Sequence, residues 1–313
     1  MKNFLLATIL LVSLFLVSPM KDEKASAVYN HKVSSTGFVT SVVPQGAEWR
    51  EASNVSKKPA QSILHDLPVV VHGLGFIEGH YVTNSLDALL VNYKRGFRVF
   101  EIDLNMTSDG HLVARHDWTP GHYQYLGQAY QPVAGPIPFE TFMSLKIHGK
   151  YQPASWEDIL QVMKEHPDLY VITDTKERDK NQVHRTFSYL VKAAKKVDPK
   201  ILDRVIPQIY DPAMLSYIQS HYDFKHIIYT LYHHINIQSP EQLADWSARN
   251  HITAVAAFPF RLKDDMRTAL QKRGILVYAH TINDPAEAAA YRAQGIGVYT
   301  DYLFYDGISF VGP

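Results

Sequence analysis

The feature that most constrains this chain is a rhythm that begins at residue 67. Short runs rich in β-branched and aromatic residues recur from there to the end. They are LPVVVHG (67–73), FRVFEIDL (97–104), HLVARHD (111–117), LYVITD (169–174), RVIPQIY (204–210), KHIIYTLY (225–232), ITAVAAF (252–258), ILVYAHT (275–281) and IGVYT (296–300). Helical patterns separate most of them. Ser155-Trp156-Glu157-Asp158 has capping-box form, and Trp156, Ile159, Leu160 and Met163 follow at helical spacing. Ala288, Tyr291 and Arg292 lie on another helix, which Gly295 should stop. Strands alternating with helices imply a parallel sheet. Residues 67–313 suit one α/β barrel of ordinary size, roughly 250 residues.

The expected fold is therefore α/β, a TIM (β/α)8 barrel with an N-terminal extension. Nine runs compete for eight staves. The link NMTSDG between the second and third runs is too short for a helical crossover. Asp109-Gly110 is a turn signal, so we expect a hairpin-like distortion of the barrel there. A doubly wound open sheet is the alternative. It would call for a Gly-rich phosphate loop between the first strand and first helix, and none is present.

The N-terminus reads as a targeting segment. Lys2 precedes the apolar run FLLATILLVSLFLVSPM, and Ala25-Ser26-Ala27 offers a small-residue cleavage site. We expect residues 1–27 to be a signal peptide cut after Ala27, and the protein to be secreted; an uncleaved membrane anchor is the alternative. Residues 28–66 form the extension, with a short strand expected at GFVTSVV. The chain has no cysteine, so it relies on its core rather than on disulfides. Its formal net charge is zero, which offers no footing for nucleic acid. Nor does the mature chain show a basic or amphipathic membrane anchor.

Candidate chemistry starts in FEIDLNM (100–106). Side chains alternate along a strand, so Val99, Glu101 and Asp103 share one face while Phe100, Ile102 and Leu104 share the other. The apolar face should pack on helices, which aims both carboxylates at the barrel axis. Two like charges buried together cost several kcal/mol unless neutralised. A hard divalent cation would do so; Arg or Lys partners inside the barrel are the alternative. Other strand ends bring Asp174, Lys176, His72 and His116 to the same C-terminal face, where barrel active sites gather. Two histidines beside a cation suit phosphodiester chemistry, one taking a proton from an attacking hydroxyl and one giving a proton to the leaving alkoxide.

The order H-G … E-x-D … T-S-D-G-x-L-V-x-x-H-D … D-x-K … T-D resembles the glycerophosphodiester phosphodiesterase family, within the phosphatidylinositol phospholipase C-like superfamily, over most of residues 68–303. EIDLNMTSDGHLVARHD is the most specific part. The resemblance implies a TIM barrel, a catalytic pair in His72 and His116, and Ca²⁺ or Mg²⁺ held by Glu101 and Asp103. Asp174 stands where the family usually has a Glu ligand, and Lys176 matches the family's lysine. His280, in AHTIND, stands where a Trp is common; with Lys176 it is a candidate substrate contact. The resemblance also implies a two-step reaction, in which a neighbouring hydroxyl of the substrate closes a cyclic phosphodiester that water then opens. Two departures stand out. The family's first strand usually ends His-Arg, here His72-Gly73. Its Pro-Glu-Asn-Thr stretch is here Val82-Thr83-Asn84-Ser85, without the carboxylate.

Residues 117–154 show little periodicity and many Tyr, Gly and Pro. Loops this long are often functional. We expect the segment to cover the site mouth, with Trp118 and, beside it, His122, Tyr123 and Tyr125 touching a polar head group or sugar; a structural flap packed on its own aromatics is the alternative. The leading reading is an exported metal-dependent phosphodiesterase acting on glycerophosphodiesters or glycerol-phosphate compounds. A lipid phosphodiesterase of phospholipase C or sphingomyelinase D type, and a non-catalytic barrel keeping a metal or phosphate pocket, are the alternatives.

Overall fold

In a computed structural model, the described residues are 64, 69–131, 135–232 and 239–313. The expected signal peptide, its cleavage at Ala27 and the GFVTSVV strand lie outside them. Among the described residues no helix is long and apolar enough to cross a membrane.

All nine sequence runs form strands: β1 (Val69–Val71), β2 (Val99–Met106), β3 (Leu112–Ala114), β4 (Tyr170–Asp174), β5 (Val205–Ile209), β6 (Ile228–Thr230), β7 (Ala254–Ala257), β8 (Leu276–Ala279) and β9 (Ile296–Thr300). Eight of them run parallel in the order β1-β9-β8-β7-β6-β5-β4-β2, and β1 pairs with β2 to close the barrel. The surplus run resolves as expected. β3 pairs antiparallel with the far end of β2, Leu104 against Ala114 and Met106 against Leu112, around a turn in which Gly110 takes φ +89°. A glycine meets that left-handed conformation without a Cβ penalty.

Helices cover the outside: α1 (Leu86–Lys94), α2 (Pro120–Tyr125), α3 (Phe139–Ser144), α4 (Trp156–Glu165), α5 (Lys180–Val197), α6 (Pro212–Gln219), α7 (Pro240–Arg249), α8 (Asp264–Gln271) and α9 (Pro285–Ala293). The capping box at α4 is real: Ser155 Oγ accepts from Asp158 N, and Asp158 Oδ2 accepts from Ser155 N. Trp156, Ile159, Leu160 and Met163 are buried beneath it. Each such side chain contributes about 1.5–3 kcal/mol by leaving water.

Alternation along β2 sorts the core into two. Phe100, Ile102 and Leu104 join the layer between sheet and helices. Val99 joins the barrel interior, with Val70, Ile172, Ile206, Ile228 and Tyr299. Leu64 also packs there, and its carbonyl accepts from Tyr278 Oη at 2.8 Å. The interior below the site is thus apolar and filled. The inward-facing polar residues come one layer higher, at the strands' C-terminal ends.

Candidate active site

Strand register assembles the site. Asp103 on β2 lies directly opposite Asp174 on β4, while Glu101 sits one inward position lower on β2. On the other side of β2, Val71 pairs with Phe100 and with Thr300, so His72, the residue after β1, falls between Glu101 and Asp301. Glu101, Asp103 and Asp174 are all buried, and one oxygen from each lies within 4.8 Å of the others.

Five of their six oxygens have partners. Lys176 Nζ pairs with Asp103 Oδ1 and, at 3.0 Å, with Asp174 Oδ2. Tyr210 Oη donates to Asp174 Oδ1. Asn84 Nδ2 donates to Asp103 Oδ2 at 2.8 Å, and Gly73 N to Glu101 Oε2 at 2.7 Å. Glu101 Oε1 is buried with no hydrogen-bond partner. With all three carboxyls ionised, as a bound cation would require, they carry two negative charges beyond the Lys176 ammonium, the complement of one divalent cation. Burial, reinforced by the Asp103 charge, pushes the Glu101 carboxyl up to about 8. Burial would also raise Asp103, but the charges of Lys176, His116 and His72 hold it below the usual carboxylate range. An all-oxygen cluster with an orphaned buried oxygen fits Ca²⁺ or Mg²⁺.

The two histidines share an orientation device. His72 Nδ1 lies 2.7 Å from Asp301 Oδ1, which leaves Nε2 toward the carboxylates, 4.0 Å from Glu101 Oε2. Asn283 Nδ2 donates to Asp301 Oδ2 at 2.6 Å, and Asp301 N donates to Asn283 Oδ1. His116 Nδ1 lies 2.7 Å from Asp117 Oδ2. Asn105 of β2 holds the backbone there by donating to the carbonyls of Arg115 and His116. Burial alone would depress His72; the Asp301 bond and the charges of Glu101 and Asp103 outweigh it and raise the imidazole to about 9.

His280, at the end of β8, sets its ring edge-on to His72 with centroids 4.8 Å apart. Burial, then the His72 charge, pushes it down to about 3, so it enters the site as a neutral ring. Trp118 packs elsewhere. The Arg115 guanidinium lies 4.7 Å over its ring, Phe142 is 5.9 Å away, and it joins the small core of Val113, Ile137 and Phe142. The observed contacts of Trp118 are those of a structural flap. Tyr123 is likewise buried, 4.1 Å from the same guanidinium.

The two departures from the family pattern meet in space: Asn84 N donates to the Gly73 carbonyl at 3.1 Å. Gly73 has φ +52°, and a Cβ there would lie 2.4 Å from Val82 Cγ1 and 2.8 Å from Val82 Cα. An Arg at 73 is therefore excluded by the path of the 82–85 stretch. Thr83, at the missing carboxylate, is buried and bonded to Ser85 Oγ at 2.9 Å. Asn84 is kept and grips Asp103 twice, through Nδ2 and by accepting from Asp103 N.

Sequence reasoning missed Asp301, Asn283 and Tyr210. Asp301 carried the one usable signal, an acidic residue ending the closing strand in VYTDY.

A barrel with a histidine pair and a carboxylate cluster at its C-terminal strand ends belongs with the TIM-barrel enzymes that work at that face. A sequence model of the glycerophosphoryl diester phosphodiesterase family matches residues 77–304, and the chain belongs to that family. It is accordingly a phosphoric diester hydrolase. Solved structures share the fold. A phosphodiesterase from Oleispira antarctica, in complex with the product sn-glycerol-3-phosphate, superposes with TM-score 0.61 at 16% identity, over 74% of this chain and 92% of that one. A glycerophosphodiester phosphodiesterase from Parabacteroides distasonis gives 0.59 at 18%, over 74% and 92%. That of Thermotoga maritima gives 0.53 at 18%, over 75% and 94%. No curated protein matches significantly.

Proposed function

We propose that the protein is an exported, divalent-metal-dependent phosphodiesterase that hydrolyses glycerophosphodiesters or related glycerol-phosphate compounds through a cyclic phosphodiester. One observation carries the reading: two Asp-held histidines beside three buried carboxylates with an unpartnered oxygen. Glu101, Asp103 and Asp174 would hold Ca²⁺ or Mg²⁺, which supplies Lewis-acid stabilisation of charge on the phosphoryl oxygens. The remaining chemistry belongs to side chains. A substrate hydroxyl next to the phosphate attacks phosphorus, and one histidine takes its proton. The other protonates the departing alkoxide as its P–O bond breaks. In the second step water attacks the cyclic diester and the two exchange roles, which returns each to its starting protonation state. Asp301 and Asp117 hold the rings by Nδ1. The Lys176 ammonium balances the carboxylates at the phosphate's side.

The test is hydrolysis of glycerophosphocholine and bis(p-nitrophenyl) phosphate, with and without chelator, by the wild-type protein and by His72→Ala. Activity should fall with both treatments. Equal turnover of a deoxy analogue lacking the neighbouring hydroxyl would rule out the cyclic route. Export is checked by N-terminal sequencing of protein recovered from the medium, expected to begin at Val28. A lipid-derived substrate is the second reading. It draws on Phe258 and Phe260, exposed and stacked next to the His280 side of the mouth. Binding to phospholipid vesicles, lost in Phe260→Ser, would favour it.

A further inference from the structure

We propose that His116, Asp117 and His122 form a second cation site, one that takes a borderline transition-metal ion such as Zn²⁺ and silences the hydrolase when filled. The silencing rests on the proposed proton-transfer role of His116; the site itself does not.

One ring nitrogen of each histidine and one carboxylate oxygen of Asp117 lie within 4.8 Å of one another. The rings of His116 and His122 stand 5.6 Å apart, tilted by 38°. Two of the three ligands are set by a single residue. Thr119 donates to Asp117 Oδ1 from both its backbone N, at 2.7 Å, and its Oγ1, at 2.5 Å. Its Oγ1 also accepts from His122 N at 3.3 Å, capping α2. The donor set therefore exists before any ion arrives.

His122 has no other evident employment for its lone pair. Its Nε2 is buried without a hydrogen-bond partner. His116, by contrast, is 43% exposed at its side chain, so an ion can reach the cluster from solvent.

Donor chemistry separates this cluster from the carboxylate one. Glu101, Asp103 and Asp174 offer oxygen alone, which suits Ca²⁺ and Mg²⁺. Two imidazoles and a carboxylate suit Zn²⁺, with a fourth position left for water. The Arg115 guanidinium, packed behind the same segment, opposes any ion held by charge alone. That disfavours a hard cation and leaves one bound through nitrogen lone pairs. An ion there takes His116 out of proton transfer, so Zn²⁺ inhibits while Mg²⁺ or Ca²⁺ activates.

The experiment uses the full chain saturated with Mg²⁺, titrated with Zn²⁺ by calorimetry and with Co²⁺ by visible absorption. Wild type should bind one such ion per chain and lose activity in step with occupancy. His122→Gln and His122→Ala should weaken binding by at least about tenfold and relieve inhibition in proportion. Glu101→Gln should leave the Co²⁺ spectrum intact. Melting curves matching wild type establish that the His122 variants are folded, and the Gln variant keeps a polar group if Ala fails that check. Wild-type Zn²⁺ affinity in a folded His122→Gln, or loss of the Co²⁺ spectrum in Glu101→Gln, would overturn the site. Binding that requires His122 but causes no inhibition keeps the site and overturns the reading of His116 as a proton carrier.

Discussion

His72 and His116 carry the same device, a carboxylate on Nδ1, but they stand on different ground. His72 is set by three adjacent strands: it directly follows β1, Asp301 directly follows β9, and β2 carries Glu101. It cannot shift without the barrel shifting. His116 follows the hairpin strand β3, and a turn and a short helix hold its partner Asp117. Behind it the 117–154 segment packs on Arg115, which is wholly buried, has no carboxylate partner among the described residues, and lies against Trp118, Tyr123 and Phe142. The barrel side is rigid by register. The hairpin side is built from local contacts, which makes it the part that can shift without moving the barrel strands.

The largest expected effect tests the rigid side. His72→Ala should lower kcat/KM by about 10²–10⁴-fold, the range for losing a general acid or base. A near-wild-type rate would remove His72 from the chemistry. The next pair sharpens the contrast. Asp301 is 9% exposed at its side chain and Asp117 35%, so water can replace Asp117 more readily. Asp301→Asn should cost about 10²-fold in kcat and Asp117→Asn about tenfold. Equal losses would erase the distinction between the two sides.

Arg115 tests the hairpin side. Its guanidinium donates to the Asp117 carbonyl at 2.6 Å and to Gln128 Oε1 at 3.0 Å, and its stem fills the flap's core. Arg115→Ala should destabilise the protein by about 2–4 kcal/mol in urea unfolding. It should also lower kcat through His116, while leaving Mg²⁺ affinity at the barrel carboxylates unchanged. Altered Mg²⁺ affinity would show the two sides to be coupled.

The smallest effect is one of titration. Without metal, His72 should titrate near 9 by NMR, above its ordinary 6.5. Because the folded state holds this proton more tightly, the stabilisation is complete below pH 6.5 and is lost as pH rises through about 9. Ca²⁺ or Mg²⁺ should bring the value down, since a cation offsets the charges of Glu101 and Asp103. No movement on adding metal would place the ion away from this cluster.

Much of this was legible in the chain. Strand period two placed Glu101 and Asp103 inward, and the short NMTSDG link with Asp109-Gly110 foretold that one of nine runs would be a hairpin strand. His72, Asp174, Lys176 and His280 could be placed at this face because each sits at or just past a strand's C-terminal end. The packing of Trp118 against Arg115 and Phe142 was not legible, because contacts cannot be read from a loop without periodicity.

By itself, then, the sequence determined the strands, their inward faces and the end of the barrel at which charge collects, because alternation and capping are local properties of the chain. Only the tertiary structure decided the pairings. Asp301 lies 229 residues from His72 and Lys176 lies 73 from Asp103. Such contacts arise from barrel closure and register, which depend on all eight staves at once. The exclusion of a side chain at Gly73 by Val82 is of the same kind, a packing fact that no single segment encodes.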